Sequence, residues 1–228
     1  NNVPYKTDFG FTLGQQLTTA ELLDHLVADL QTARSLLQQA DPIKTGRPTQ
    51  NRYASYDRSQ RMNYYAVTAL LARMELYRGN YDEADRAARE VMEAERFRFI
   101  RAEEILQTDA YGAELQSDRV FMPEQVFALY TENILSTSRS YYEGLTRDFV
   151  KSTNAYSEGD VRLAWFFSNP SALGKINLIR YQRSTLQQDQ QRYADPVVPM
   201  LKLSEMYLIV AECALQRAEP PTAGTQRG

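Results

Sequence analysis

Glu205 and Glu212 stand seven residues apart, hence on one face of a helical stretch. Two carboxylates on one face are the raw material of general acid and base catalysis. The residues around them, Leu203, Met206, Leu208, Val210 and Leu215, are apolar, and a carboxylate in such surroundings is more often held by an arginine or by backbone donors than left free to react. Structural pairing is therefore the stronger reading for both glutamates, and Asp160 and Arg162 read as a similar ion-pair arrangement. A glycoside hydrolase needs two carboxylates about 5–9 Å apart across a sugar site, and nothing in the sequence places such a pair. No catalytic residue is assigned.

The chain has one histidine and one cysteine, too few for a histidine metal cluster, a cysteine-rich zinc site or a disulfide framework. His25 lies beside the apolar stripe of a helix and reads as exposed or capping. Cys213, among Ala211, Ala214 and Leu215, reads as a buried small hydrophobe. No GxGxxG or GxxxxGK loop is present, so no cofactor or metal is expected. Charges balance at 26 Lys plus Arg against 29 Asp plus Glu. Arg86, Arg89, Arg96, Arg98 and Arg101 interleave with glutamates as on a solvated helix face, which argues against a nucleic-acid partner.

Aromatic residues are more informative, because 15 Tyr stand against 9 Phe and 1 Trp. Tyrosine pairs a flat apolar face with a polar tip, so it can stack on a sugar ring while its hydroxyl reaches ring hydroxyls. Tyr141 and Tyr142, beside the polar run Thr137-Ser138-Arg139-Ser140 read as a loop, and Trp165 are the candidate ligand-binding residues. For Trp165-Phe166-Phe167 core packing competes and is the stronger reading; for Tyr141-Tyr142 the two readings are even.

Helices must position these residues. Leu22, Leu26, Leu30, Ala33 and Leu37 recur at helical spacing over 19–40, Thr18 and Glu21 fit a capping box, and Asp41-Pro42 ends the helix. A polar loop is expected from Thr45 to Asn51. Helical patterns over about 58–78 and 81–95, separated by Gly79-Asn80, make an αα-hairpin whose alanines (Ala69, Ala72, Ala84, Ala87, Ala88) permit close approach. From 97 to 198 the period fades, with short apolar runs at 126–130, 163–167 and 176–179 that read as short strands or extended loops. Helix returns over 199–218, apolar on most sides and so expected to pack on several neighbours. The expectation is a mainly α, tetratricopeptide-like fold: a hairpin region at 19–96, an irregular loop-rich insertion with a few short strands at 97–198, and a returning helix. No apolar run approaches the roughly 20 residues needed to cross a bilayer. The absence of an initial Met and the Pro220–Gly224 tail suggest a piece of a longer protein.

The order of several stretches resembles the SusD/RagB family of outer-membrane nutrient-binding lipoproteins. Val3-Pro4-Tyr5 and Ala28 to Leu37 are similar to its early segment and "DL..A..LL" helix. Ala69 to Ala84 resembles "ALLAR.ELY.G.Y.EA", Pro123 to Ala128 the "E.IF" strand, Asp160-Val161-Arg162 the internal "D.R", and Leu203 to Glu212 "EMYLI.AE". Lys202 departs from the family's frequent Arg, and neither the "LN.VR" segment nor the lipidated amino-terminal Cys is in the sequence. The resemblance implies non-catalytic capture of a glycan or other nutrient oligomer at the cell surface. It further implies a lipid anchor in the outer membrane and docking on a TonB-dependent transporter, largely through the repeat helices. The rival reading is a helical-repeat adaptor that binds a protein segment; a helical glycoside hydrolase is the weakest of the three.

Overall fold

The computed structural model describes residues 3–11, 13–45, 57–105, 107–108, 110, 114–116, 118–142, 160, 162, 165, 167–168, 177–181 and 197–218. Its elements are β1 (Val3–Tyr5), β2 (Gln15–Leu17), α1 (Thr19–Ala40), α2 (Pro42–Thr45), α3 (Tyr64–Arg78), α4 (Tyr81–Met92) and α5 (Ala102–Ile105). There follow β3 (Gln107–Thr108), β4 (Glu114–Gln116), β5 (Gln125–Tyr130), α6 (Ile134–Tyr142), β6 (Phe167–Ser168), β7 (Asn177–Leu178), β8 (Val197–Lys202) and α7 (Leu203–Ala218). The fold is mainly α, with few short strands in two-stranded sheets. Internal contacts divide the chain into two compact units, Asn1–Phe97 with Leu201–Gly228, and Arg98–Met200.

In the first unit α1 starts at the expected capping box: the Thr18 side chain accepts from the Glu21 N–H, and the Glu21 carboxylate accepts from the Thr18 N–H at 2.8 Å. Those bonds hold the Glu21 carboxyl below its ordinary pKa. Asp41 ends α1, its N–H bonded to the Leu37 carbonyl, and Pro42 has no N–H with which to continue. The buried stripe of α1 packs through Val27, Leu30, Ala33 and Leu37 onto Val67, Leu71 and Met74 of α3.

Helix α3 begins at Tyr64, not near Arg58: residues Asp57–Gln60 form a separate 3-10 turn. Asn63 then caps α3, its side chain accepting from the Ala66 N–H at 2.9 Å and donating to the Arg58 carbonyl at 2.9 Å. Such a cap satisfies donors that a helix running on from Arg58 would not need satisfied. Gly79 sits at φ 77°, with its N–H on the Glu75 and Leu76 carbonyls, and the Asn80 N–H also reaches the Glu75 carbonyl. This left-handed close is why the break falls on glycine.

Helix α4 buries Ala84, Ala88 and Val91 completely, at the spacing that makes one narrow stripe. It packs against both α3 and α7. Helix α7 buries Leu203, Met206, Ile209 and Cys213, and begins at Leu203 rather than near Pro199 because Val197–Lys202 is strand β8. The expected burial on most sides is also corrected. Leu208 is 69% and Leu215 56% exposed, so one apolar face of α7 meets solvent among the described residues.

Strands β1 and β2 pair antiparallel, Val3 with Leu17 and Tyr5 with Gln15. A Cβ on Gly14 would stand 2.3 Å from the Tyr5 carbonyl oxygen, so this close approach requires glycine. The Tyr5 ring stacks on His25 at 4.9 Å and its hydroxyl donates to Asp29 at 2.6 Å, fixing the hairpin to α1. Beyond that neck Phe9, Phe11 and Leu13 are fully exposed.

In the second unit β5 pairs with β8, β3 with β4 and β6 with β7. Phe167 lies opposite Leu178, and α6 packs against β7. Val120, Ala128 and Val197 form a small core with Met122 and Tyr181 against it.

Candidate functional site

Most charged groups singled out from the sequence are engaged in ion pairs. Arg73 of α3 donates from Nε to Glu205 Oε1 at 2.5 Å and from Nη2 to Oε2 at 2.7 Å. This fork ties α3 to α7 and is the bidentate geometry that matches a guanidinium to a carboxylate. The pair is 38% and 28% exposed, which discounts its contribution to stability. Arg162 likewise donates from Nε and Nη2 to Asp160, at 3.0 and 2.6 Å, and its own N–H reaches the same carboxylate. Those bonds lower the Asp160 pKa.

Glu212 is different. It lies on the exposed side of α7, so the two glutamates do not form a buried pair of helix-bridging acids; only Glu205 bridges. Cys213 is wholly buried, and burial raises its thiol pKa, keeping it protonated. His25 is exposed, with its ring on Tyr5. Among the described residues no group of three or more His, Cys, Asp or Glu could hold a metal ion, and no helix is long and apolar enough to cross a membrane.

Tyr141 and Tyr142 close α6 rather than lying in a loop. Ser136 and Ser140 donate from their hydroxyls to the carbonyls of Asn133 and Thr137, so serines that read as turn formers here bond back within the helix. Trp165 is half-buried at a helical position two residues before β6, and Phe167, the other described residue of the apolar run 163–167, lies in β6. Since α6 packs on β7 and β7 pairs with β6, one neighbourhood of the second unit holds the backbone carrying all three candidate aromatics. The polar loop expected after Thr45 lies outside the described residues.

Two surface hollows were not legible in advance. An open depression of about 650 Å³ is lined by Lys44 of α2, Tyr65 of α3, and Asp85, Arg86, Arg89 and Glu90 of α4, with Glu93 and Ala94 just beyond. A second, of about 170 Å³, lies between α1, α3 and α4 and shares Arg86 and Glu90 with the first. The only signal in the sequence was the alternation of charge along α4, which reads equally as solvated surface. The exposed Phe9, Phe11 and Leu13 were also missed, although their alternate spacing was visible.

Asp118 supplies a measurable electrostatic feature of the second unit. Only 2% exposed, it accepts from the N–H groups of Val120 at 3.2 Å and Met122 at 2.9 Å. Burial outweighs those donors and raises its pKa to about 6. A group whose folded pKa lies above its unfolded value of 3.8 stabilises the fold most below pH 4, and that contribution is lost as pH rises through about 6. We expect Asp118→Asn to become more stable relative to the parent as pH rises from 4 to 6.5, by up to roughly 3 kcal/mol. Urea melts at several pH values measure it, and parallel stability–pH curves for the two proteins would contradict the assignment. Glu104, held by Arg98 and the Arg101 N–H, has a pKa pushed far down. It works in the opposite sense: its contribution is full above the ordinary carboxylate pKa of 4.5 and is lost progressively as pH falls below that value.

No family model matches the chain, and no curated protein does. Solved structures do. A SusD superfamily protein from Bacteroides thetaiotaomicron VPI-5482 is 21% identical over 94% of this chain and 47% of its own, with a TM-score of 0.53. Surface glycan-binding protein A from Bacteroides uniformis is 15% identical over 97% of this chain and 51% of its own, at 0.61. A laminarin-binding SusD-like protein is 17% identical over 93% and 55%, at 0.51. The chain spans about half the length of these structures. It has the SusD-like fold.

Proposed function

We propose that this SusD-like chain is part of a protein that captures a glycan without altering it. The observation that carries the reading is the fold: nearly the whole chain superposes on proteins described as binding sugar, surface glycan or laminarin. The side chains agree with a binder. Of the two acids first considered for catalysis, Glu205 is committed to Arg73 and Glu212 lies on the exposed side of α7. Recognition is assigned to the neighbourhood of α6, β6 and β7, whose backbone carries Tyr141, Tyr142 and Trp165, residue types that can stack on sugar rings. Outward placement at the outer membrane, a lipid anchor preceding Asn1 and delivery to a TonB-dependent transporter complete the proposal, with the helical hairpin as the docking element.

The test is affinity electrophoresis of the protein through gels containing laminarin, starch, xylan or mannan, with reducing ends assayed in parallel. Retardation in at least one gel without release of reducing sugar is expected, and Tyr141→Ala with Tyr142→Ala should weaken it about tenfold with the circular dichroism unchanged. Equal retardation of that variant would remove the two tyrosines from the site. Indifference to every glycan combined with capture of peptides would replace the reading with the adaptor, and sugar release would replace it with a hydrolase.

A further inference from the structure

Helix α7 lies at one edge of the helices of the first unit and α1 at the other, because α3 packs on α1, α4 packs on α3, and α7 packs on α4 and α3. Arg217 near the end of α7 pairs with Asp82 and Asp85 in the first turns of α4. The two helices therefore run in opposite directions, as α3 and α4 do, and α7 turns Leu203, Met206, Ile209 and Cys213 inward. Its other side carries Tyr207, Leu208, Ala211, Ala214, Leu215 and Ala218, all exposed. Their spacing is that of a core-facing helical stripe, with Leu208, Ala211, Leu215 and Ala218 along its centre and Tyr207 and Ala214 beside them.

The outer sides of the two edge helices differ in chemistry. That of α1 presents Asp24, Gln31, Ser35, Gln38 and Gln39 beside a single large apolar residue, Leu36, the polar face with which a helical stack ends against water. That of α7 instead alternates leucine with alanine, the composition by which Ala84 and Ala88 bring α4 against its neighbours with no exposed surface. Such a stripe is built to be buried, and a second helix is what fits a straight convex face about 15 Å long. Chain length says where that helix comes from. Residues 1–228 span 47%, 51% and 55% of the SusD-like structures on which they superpose, so that fold holds about as much polypeptide again. We propose that a further helix of the same polypeptide, from outside residues 1–228, seats on the outer face of α7, with its large side chains over Ala211, Ala214 and Ala218. The proposal shares with the glycan-binding reading the premise that the chain is part of a longer protein, and nothing in its test involves a glycan.

The experiment uses the complete protein in two forms. In the first, p-benzoylphenylalanine replaces Tyr207 at the rim of the stripe and is photolysed, and digestion with mass spectrometry identifies the peptide attached to it. A peptide of the same molecule from outside residues 1–228 is expected. In the second, maleimide should modify Ala211→Cys at least a hundredfold more slowly than Gln39→Cys, an exposed position of α1. Comparable rates would show an open face and overturn the proposal. So would attachment to residues 98–200, to another protein, or to a second copy, which a doubled mass reveals. Each of those results leaves glycan retardation in gels untouched, so failure here and failure of the glycan-binding reading are told apart.

Discussion

Asp41→Ala is expected to lower the unfolding free energy by about 3–5 kcal/mol, the usual effect of removing one member of a buried ion pair. The Asp41 carboxylate has no exposed surface, and three donors converge on it. Arg58 Nη2 reaches Oδ2, the Tyr64 N–H reaches the same oxygen at 2.8 Å, and the Ile43 N–H reaches Oδ1 at 3.0 Å. One side chain thereby joins the end of α1, the short α2 and the first turn of α3. Alanine leaves a largely buried guanidinium without its counter-charge and two N–H groups without acceptors, each costing about 1–3 kcal/mol when unmet. Asp41→Asn keeps one acceptor oxygen and should lose less. Urea unfolding followed by circular dichroism reads both, and an alanine variant within about 0.5 kcal/mol of the parent would remove Asp41 from this role.

Asp41 also marks how far the sequence could be read. Its place at the end of α1 was legible, because a helical stripe running into Asp-Pro announces its own termination; its grip on Arg58 and Tyr64 was not, since those contacts span 17 and 23 residues and leave no periodic trace. The same division holds elsewhere. The Thr18–Glu21 box, the Gly79 close and the alanine stripe of α4 are local chemistry and were readable. Glu205 could be assigned to an arginine, but Arg73 could not be chosen from among the chain's basic residues. Glu212 was misjudged because a helix apolar in composition was taken to be apolar all round, whereas Leu208 and Leu215 face solvent with it. Tyr141 and Tyr142 were misplaced because serine and threonine favour turns in isolation, and only their back-bonding to carbonyls one turn earlier shows that α6 has absorbed them. The α4 hollows lie at the far end of this scale: surface concavity depends on how three helices meet, and charge alternation along one of them does not encode it.

Ala88→Leu should destabilise the protein by about 1–3 kcal/mol, the range for added methylenes in a packed interior. Ala88 has no exposed surface, nor do Ala84 and Val91 on the same stripe, and α4 is held between α3 and α7. Leucine there requires α4 to move away from at least one neighbour. Such movement strains the pairs that tie α4 outward, Asp82 and Asp85 to Arg217 of α7 and Glu90 to Arg34 of α1. Intrinsic helix preference cannot account for a loss of this size, since alanine and leucine are both strong helix formers. Ala214→Leu is the control: it makes the same exchange at an exposed position of α7 and should change stability by no more than about 0.5 kcal/mol. The difference between the two melts therefore isolates the helix crossing itself. If both variants lost the same amount, close packing of α4 would not be what the alanines provide, and the hairpin would owe its geometry to the ion pairs alone.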